Sequence, residues 1–142
     1  MKLRSKRMKV LIIDGQGGNI GSRMTKLLAE RIPDCKIRAV GTNSIATANM
    51  LKAGAAEGAT GENAVKVGCL WADVIAGPVG IVIADSLMGE VTPDMAWAVG
   101  QSRAVRVLVP MNRCDTLVAG VSGVSVSELI EDAVKKIVAL NV

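Results

Sequence analysis

At 142 residues the chain is large enough for one domain that buries about two-thirds of its unfolded surface, and no linker-like stretch divides it. Half of the residues are hydrophobic and the mean hydropathy is +0.39, yet Asp and Gly interrupt every apolar run short of the roughly 20 residues that cross a bilayer. The net charge of +4 rests on Lys2, Arg4, Lys6, Arg7 and Lys9; no acid stands among the first nine residues and the remainder carries −1, so a basic face that tracks nucleic acid is not supported.

Trp71 and Trp97 are the only aromatic residues, so the core must be built from Val, Ile, Leu, Met and Ala, a composition that suits a parallel sheet covered on both faces. Residues 1–7 read as a basic extension and residues 8–142 as a single domain. The apolar segment 10–13 is too short for a secretory signal. Cys35, Cys69 and Cys114 are odd in number, no C-x-x-C pair occurs and histidine is absent, which argues against zinc and for free thiols in a cytoplasmic protein.

In chain order, Lys9-Val10-Leu11-Ile12-Ile13 reads as a buried strand, and Asp14-Gly15-Gln16-Gly17-Gly18-Asn19-Ile20-Gly21 as a glycine-rich turn opening a helix. Ile20, Met24, Leu27, Leu28 and Ile32 form that helix's apolar stripe, and Pro33 ends it. Ile37, Ala39 and Val40 mark a second strand that stops at Gly41-Thr42-Asn43, after which Ser44 is placed to cap a helix running to about Ala53. A weakly marked strand over 55–57 precedes a helix capped by Thr60, with Ala64, Val67 and Trp71 on its inner face. Residues 73–76 form the next strand, closed by Gly77-Pro78.

The run 80–88 fits a buried helix or a strand, and a helix is topologically easier after a strand. Thr92-Pro93-Asp94 starts a helix that Gly100 is placed to stop, and residues 105–109 form a strand ending at Pro110. A polar loop follows over 111–115, then a short strand over 116–119 and a turn over 120–123. Ser125 and Glu128 make a capping box for a last helix with the stripe Val126, Leu129, Ile130, Ala133, Ile137 and Leu140. The expected fold is a three-layer, Rossmann-like α/β domain with a mostly parallel sheet.

In such a sheet ligands bind outside the carboxyl ends of the strands. That rule gathers Asp14, Gly15, Gln16, Gly17, Gly18 and Asn19 of the glycine turn with Thr42, Asn43, Gly77, Pro78, Asn112, Arg113 and Cys114. The glycines fit Gly15-x-x-Gly18-x-x-Gly21, the spacing of extended short-chain dehydrogenases, and miss G-x-G-x-x-G by one residue. A tight turn without a ligand would use the same glycines. No G-K-[ST] follows, which excludes a Walker loop, and a chain without Tyr cannot hold the Tyr-x-x-x-Lys pair of those dehydrogenases.

Thr42 and Asn43 stand where a dinucleotide reader places its acid, which disfavours plain NAD and leaves open a phosphorylated ribose or other nucleotide. Arg38 could serve the same end. Asp14 could bind a metal, accept from a hydroxyl or cap the turn, with Asp85 and Ser86 as candidate neighbours, while Glu62 belongs to a helix start. Arg113 is placed to bind an anion, and its positive charge would favour a thiolate at the adjacent Cys114, although a buried inert thiol is the plainer reading; Cys35 and Cys69 read as packing residues.

The strings Val10-Leu11-Ile12-Ile13-Asp14-Gly15-Gln16-Gly17-Gly18, Ala39-Val40-Gly41-Thr42-Asn43, Gly58-Ala59-Thr60-Gly61-Glu62-Asn63-Ala64, Ala72-Asp73-Val74-Ile75-Ala76-Gly77-Pro78 and Asn112-Arg113-Cys114 together resemble a small bacterial family catalogued only as a domain of unknown function. The resemblance spans Met8 to about Ile137 and implies a single compact domain, without an activity. Three functions stay open: binding of a nucleotide or dinucleotide cofactor, or another small phosphorylated ligand; a small enzyme using Asp14, Arg113 and Cys114 on such a ligand; and a non-catalytic module with an empty turn that pairs as a homodimer. Residues 1–7 carry four like charges and no apolar stripe, so their deletion is expected to leave the melting temperature nearly unchanged in calorimetry; a drop of many degrees would show that they pack on the body.

Overall fold

The computed structural model describes residues 7–110 and 116–141. Strand β1 (Lys9–Asp14) feeds α1 (Asn19–Arg31), β2 (Lys36–Gly41) and α2 (Ser44–Lys52). Then come β3 (Glu57–Thr60), α3 (Glu62–Trp71), β4 (Val74–Pro78) and a single 3-10 turn, Val79–Val82; α4 (Pro93–Gln101), β5 (Val105–Val109) and α5 (Val126–Leu140) complete the chain. The five strands form one wholly parallel sheet in the order β3-β2-β1-β4-β5. The Rossmann-like, three-layer α/β reading is thereby met.

Alternation along the continuously apolar β1 divides the core into two layers. Val10 and Ile12 face α1, α2 and α5, where Met24, Leu28, Met50, Ile130, Val134 and Ile137 are buried. Leu11 and Ile13 face α3 and α4, against Val65, Cys69, Met95 and Val99. Strands β1 and β4 approach so closely at their carboxyl ends that a Cβ on Gly77 would lie 2.2 Å from the Ile13 carbonyl oxygen.

Several expected details shift. Asn43, not Ser44, caps α2, its side-chain oxygen accepting from the Ala46 N–H at 2.9 Å. The third strand lies at Glu57–Thr60 rather than 55–57, so Thr60 belongs to it and Gly61 precedes α3. The buried face of α3 is Val65, Gly68 and Cys69, whereas Val67 is 52% exposed. Gly68 explains the error: it lets the helix backbone approach Leu11, since a Cβ there would meet that side chain at 2.9 Å, and a count of bulky residues passes over it.

On α5 the cap is as read, Ser125 Oγ accepting from the Glu128 N–H at 3.1 Å, but the buried stripe runs through Ile130, Ala133, Val134 and Ile137 while Val126 and Leu140 sit at exposed ends. Residues 116–119 do not form the expected strand, and Leu117 among them is 89% exposed.

Residues 80–88 are neither the expected helix nor a strand. After the 3-10 turn the chain winds through successive turns with Asp85, Leu87 and Met88 in the left-handed region, at φ 66°, 56° and 58°, followed by Gly89 at 87°. Ile81, Leu87 and Val91 are buried while the backbone between them reverses, so no single period fits the run. The reversal is tied by Asp85 N–H to Val91 O at 2.7 Å and by the buried Ser86 hydroxyl donating to Gly80 O.

Gly77→Ala is expected to cost about 3 kcal/mol in urea unfolding, because the obstructing atom is backbone of the central strand and cannot rotate away. An unchanged midpoint would show that β1 and β4 can separate without loss.

Candidate functional site

The end of β1 is held by its own last side chain. Asp14 is 5% exposed, and its Oδ1 accepts from the Gly15 N–H while Oδ2 accepts from the Gly21 N–H, both at 2.7 Å. Gly21 is the third residue of α1, so the carboxylate takes the role that an N-cap side chain would have, near the positive end of the helix dipole. This meets the capping alternative for Asp14. Among the described residues no three Cys, Asp or Glu side chains gather as metal ligands would.

The glycines divide by cause. Gly18 stands at φ 71° with the Ala46 backbone 2.9 Å from where its Cβ would be, and a Cβ on Gly21 would meet Met50 Sδ at 2.5 Å. At Gly15 the obstacle would be Thr42 Oγ1, also at 2.5 Å. Gly17 is different: its φ is not left-handed and a Cβ there meets nothing within 4 Å.

Gly18 N–H closes the turn by donating to Gly15 O at 2.8 Å. The amides of Gly17, Asn19 and Ile20 have no acceptor among the described residues. They border a cleft of about 290 Å³ lined by residues 14–20, Arg23, residues 78–80, Ile83, Leu87 and Val126. The cleft lies beyond the carboxyl ends of β1 and β4, the neighbouring strands between which the strand order reverses direction.

On the β2 side of the same turn stands Glu90. Its Oε1 accepts from Gln16 N–H at 2.8 Å, from Thr42 Oγ1 at 2.7 Å and from Asn43 Nδ2 at 2.7 Å. Burial raises the Glu90 pKa, but the bonds from Thr42, Gln16 and Asn43 outweigh it and hold the carboxyl below its ordinary value of 4.5. Asn43 Nδ2 also donates to Gln16 O at 2.9 Å, and Asn49 Nδ2 to Gly17 O at 2.8 Å, so α2 braces the turn from beneath.

The sequence matches the family model for a domain of unknown function, DUF3842, over residues 9–141. The chain belongs to this family. No curated protein and no solved structure matches it.

In this DUF3842 domain the expected residues separate into groups. Asp14, Gly15, Gln16, Gly17, Gly18, Asn19 and Pro78 share the cleft. Thr42 and Asn43 turn to Glu90, and Gly77 serves the β1–β4 approach. Asn112, Arg113 and Cys114 lie outside the described residues.

Arg38 does not join the site: it pairs with Glu57 at 3.1 Å and stacks on Trp71, 3.9 Å from the ring centroid. Asp85 is exposed and off the cleft, Ser86 bonds the backbone beneath it, and Glu62 accepts from Thr92 Oγ1 at 2.5 Å at the start of α3. Cys35 and Cys69 are buried free thiols; burial raises both, Cys69 to about 11, as packing residues should.

Two residues went unread. Arg23 follows Asn19 by four, the helical spacing that puts it on the turn's face, and its Nη2 donates to Ser127 Oγ at 2.5 Å. Glu90 had no local signal, since its partners lie 74, 48 and 47 residues away.

A carboxyl whose folded pKa is lowered adds stability that is present above its unfolded value and lost as pH falls through the lowered one. Glu90→Ala should therefore be less stable than wild type near neutrality, by about 1 kcal/mol after allowance for solvent screening, with the gap narrowing as pH falls below the ordinary carboxylate range. Parallel urea titrations showing a constant gap down to about pH 3 would contradict this.

Proposed function

We propose that this DUF3842 domain binds a small phosphorylated ligand, of the nucleotide kind, with its phosphate on the amides of Gly17, Asn19 and Ile20. The observation that carries the reading is the placement of these amides, without protein acceptors among the described residues, at the head of a 13-residue helix and on a cleft at the sheet's reversal point. Unsatisfied N–H groups and the helix dipole together favour an anion there. Arg23 lines the same cleft and adds a cation.

Gly17 supports the reading by elimination, since neither its backbone angle nor a neighbouring atom requires glycine, while a phosphate lying on its N–H would. The cleft sits at the small end of ligand pockets, which run from about 300 Å³ upward, and suits a mononucleotide or sugar phosphate better than a whole dinucleotide. Asp14 spends an oxygen on each of two amides and is assigned to holding the turn. The reduced Cys35 and Cys69 accord with a cytoplasmic setting.

Gly17→Val should leave the melting temperature nearly unchanged yet weaken calorimetric binding of adenosine monophosphate by about tenfold or more, as a side chain displaces the phosphate from the backbone. Wild type at ligand about 100-fold above its dissociation constant should gain roughly 2.7 kcal/mol, a shift of several degrees. Equal affinity in the two proteins, or no shift with any phosphorylated compound, would overturn the proposal.

A further inference from the structure

We infer that Glu90 reads the sugar hydroxyls of the ligand, which is thereby a phosphorylated ribose with its 2-hydroxyl free. The inference rests on the phosphate reading of the glycine turn and specifies what the phosphate is attached to.

Parallel sheets of this order receive a nucleotide's ribose beside the carboxyl end of the second strand, where an acid accepts from its hydroxyls. Strand β2 ends in Gly41 and continues into Thr42 and Asn43, neither of them acidic. The structure nevertheless brings a carboxylate to that place, from the segment that follows β4. Glu90 Oε1 lies against Gln16 N–H, Thr42 Oγ1 and Asn43 Nδ2, and 3.0 Å from where a Cβ on Gly15 would stand. Gly15 and Gln16 line the cleft while Glu90 does not; the carboxylate stands behind them on the β2 side, one hydrogen bond from Gln16, where a ligand extending from the turn toward β2 would reach it.

The two oxygens are unequal. Oε1 takes all three donors, while Oε2 has no hydrogen-bond partner and no ion-pair partner among the described residues. An anchored carboxylate with one oxygen spare and its charge unneutralised is an acceptor for neutral donors such as hydroxyls. It repels a second phosphate, so a ribose phosphorylated at its 2-position is disfavoured even though Thr42 and Asn43, taken alone, could have served one.

The segment carrying Glu90 is fixed rather than loose. Leu87 and Val91, on either side of it, are 8% and 1% exposed, and the left-handed Asp85, Leu87 and Met88 hold a path that the surrounding hydrogen bonds impose. Strain of this kind persists where the surroundings over-determine it, and here it aims one acid across the sheet's edge.

The test is calorimetric titration of the full chain with inorganic phosphate, ribose 5-phosphate and 2-deoxyribose 5-phosphate, for wild type and Glu90→Gln. Glutamine keeps one oxygen for the three donors and replaces the spare oxygen with an NH₂ group, which cannot accept. Wild type is expected to bind ribose 5-phosphate about tenfold more tightly than either other probe, as a hydrogen bond to a charged group allows. Glu90→Gln should bring ribose 5-phosphate and 2-deoxyribose 5-phosphate to equal affinity, with inorganic phosphate bound no more weakly than by wild type, since a negative charge near the turn has been removed.

A wild-type ribose-to-deoxyribose ratio near one overturns the inference, and that ratio needs no variant to fold. It is equally overturned if Glu90→Gln keeps the ratio, or if it weakens all three probes alike, which would make Glu90 a strut for the turn. Phosphate binding without sugar discrimination removes only the role of Glu90, whereas failure of all three probes on wild type removes the phosphate reading as well.

Discussion

A buried carboxylate at the end of the central strand is the constraint from which the glycine turn follows. Taking Asp14 out of water costs several kcal/mol unless its oxygens are matched, and the chain matches them with the amides of Gly15 and Gly21, six residues apart in sequence. Those two bonds tie the last residue of β1 to the first turn of α1. The loop between must then turn back tightly, which brings Gly18 onto α2 and Gly21 onto Met50. What remains uncommitted at the helix head, the amides of Gly17, Asn19 and Ile20, is left over from this arrangement and opens on the cleft.

Two acids therefore flank the turn in opposite employment. Asp14 looks inward and satisfies the backbone; Glu90 reaches in from the segment after β4 and ties it to the turn at Gln16 and to the end of β2 at Thr42 and Asn43. In the proposed reading, charge repulsion sets a bound phosphate nearer to Arg23 and the α1 amides than to either carboxylate.

Much of the fold was legible because parallel strands buried on both faces announce themselves as short apolar runs, and β1, β2, β4 and β5 lie within a residue or two of their expected places. The caps at Thr92 and Ser125 were legible for a similar reason, being local chemistry. The site was half legible. Residues 14–19 are contiguous, so the turn could be read, but the partner of Thr42 and Asn43 could not, because a hydrogen bond spanning about a third of the chain leaves no trace in spacing. The misread face of α3 came from Gly68, where the absence of a side chain makes the contact. Residues 79–91 defeated periodicity because, after one 3-10 turn, their buried side chains are placed by left-handed turns rather than by an α-helix or strand.

The position of the two indoles has a practical side. Trp71 is half-buried beneath the Arg38 guanidinium and Trp97 is 66% exposed on α4, so both lie in the α3–α4 layer and neither lines the cleft at the glycine turn. With no tyrosine in the chain, its ultraviolet emission comes from these two rings alone. Intrinsic fluorescence is consequently a reporter of whether that layer is assembled and a poor one of events in the cleft, whose lining includes neither chromophore.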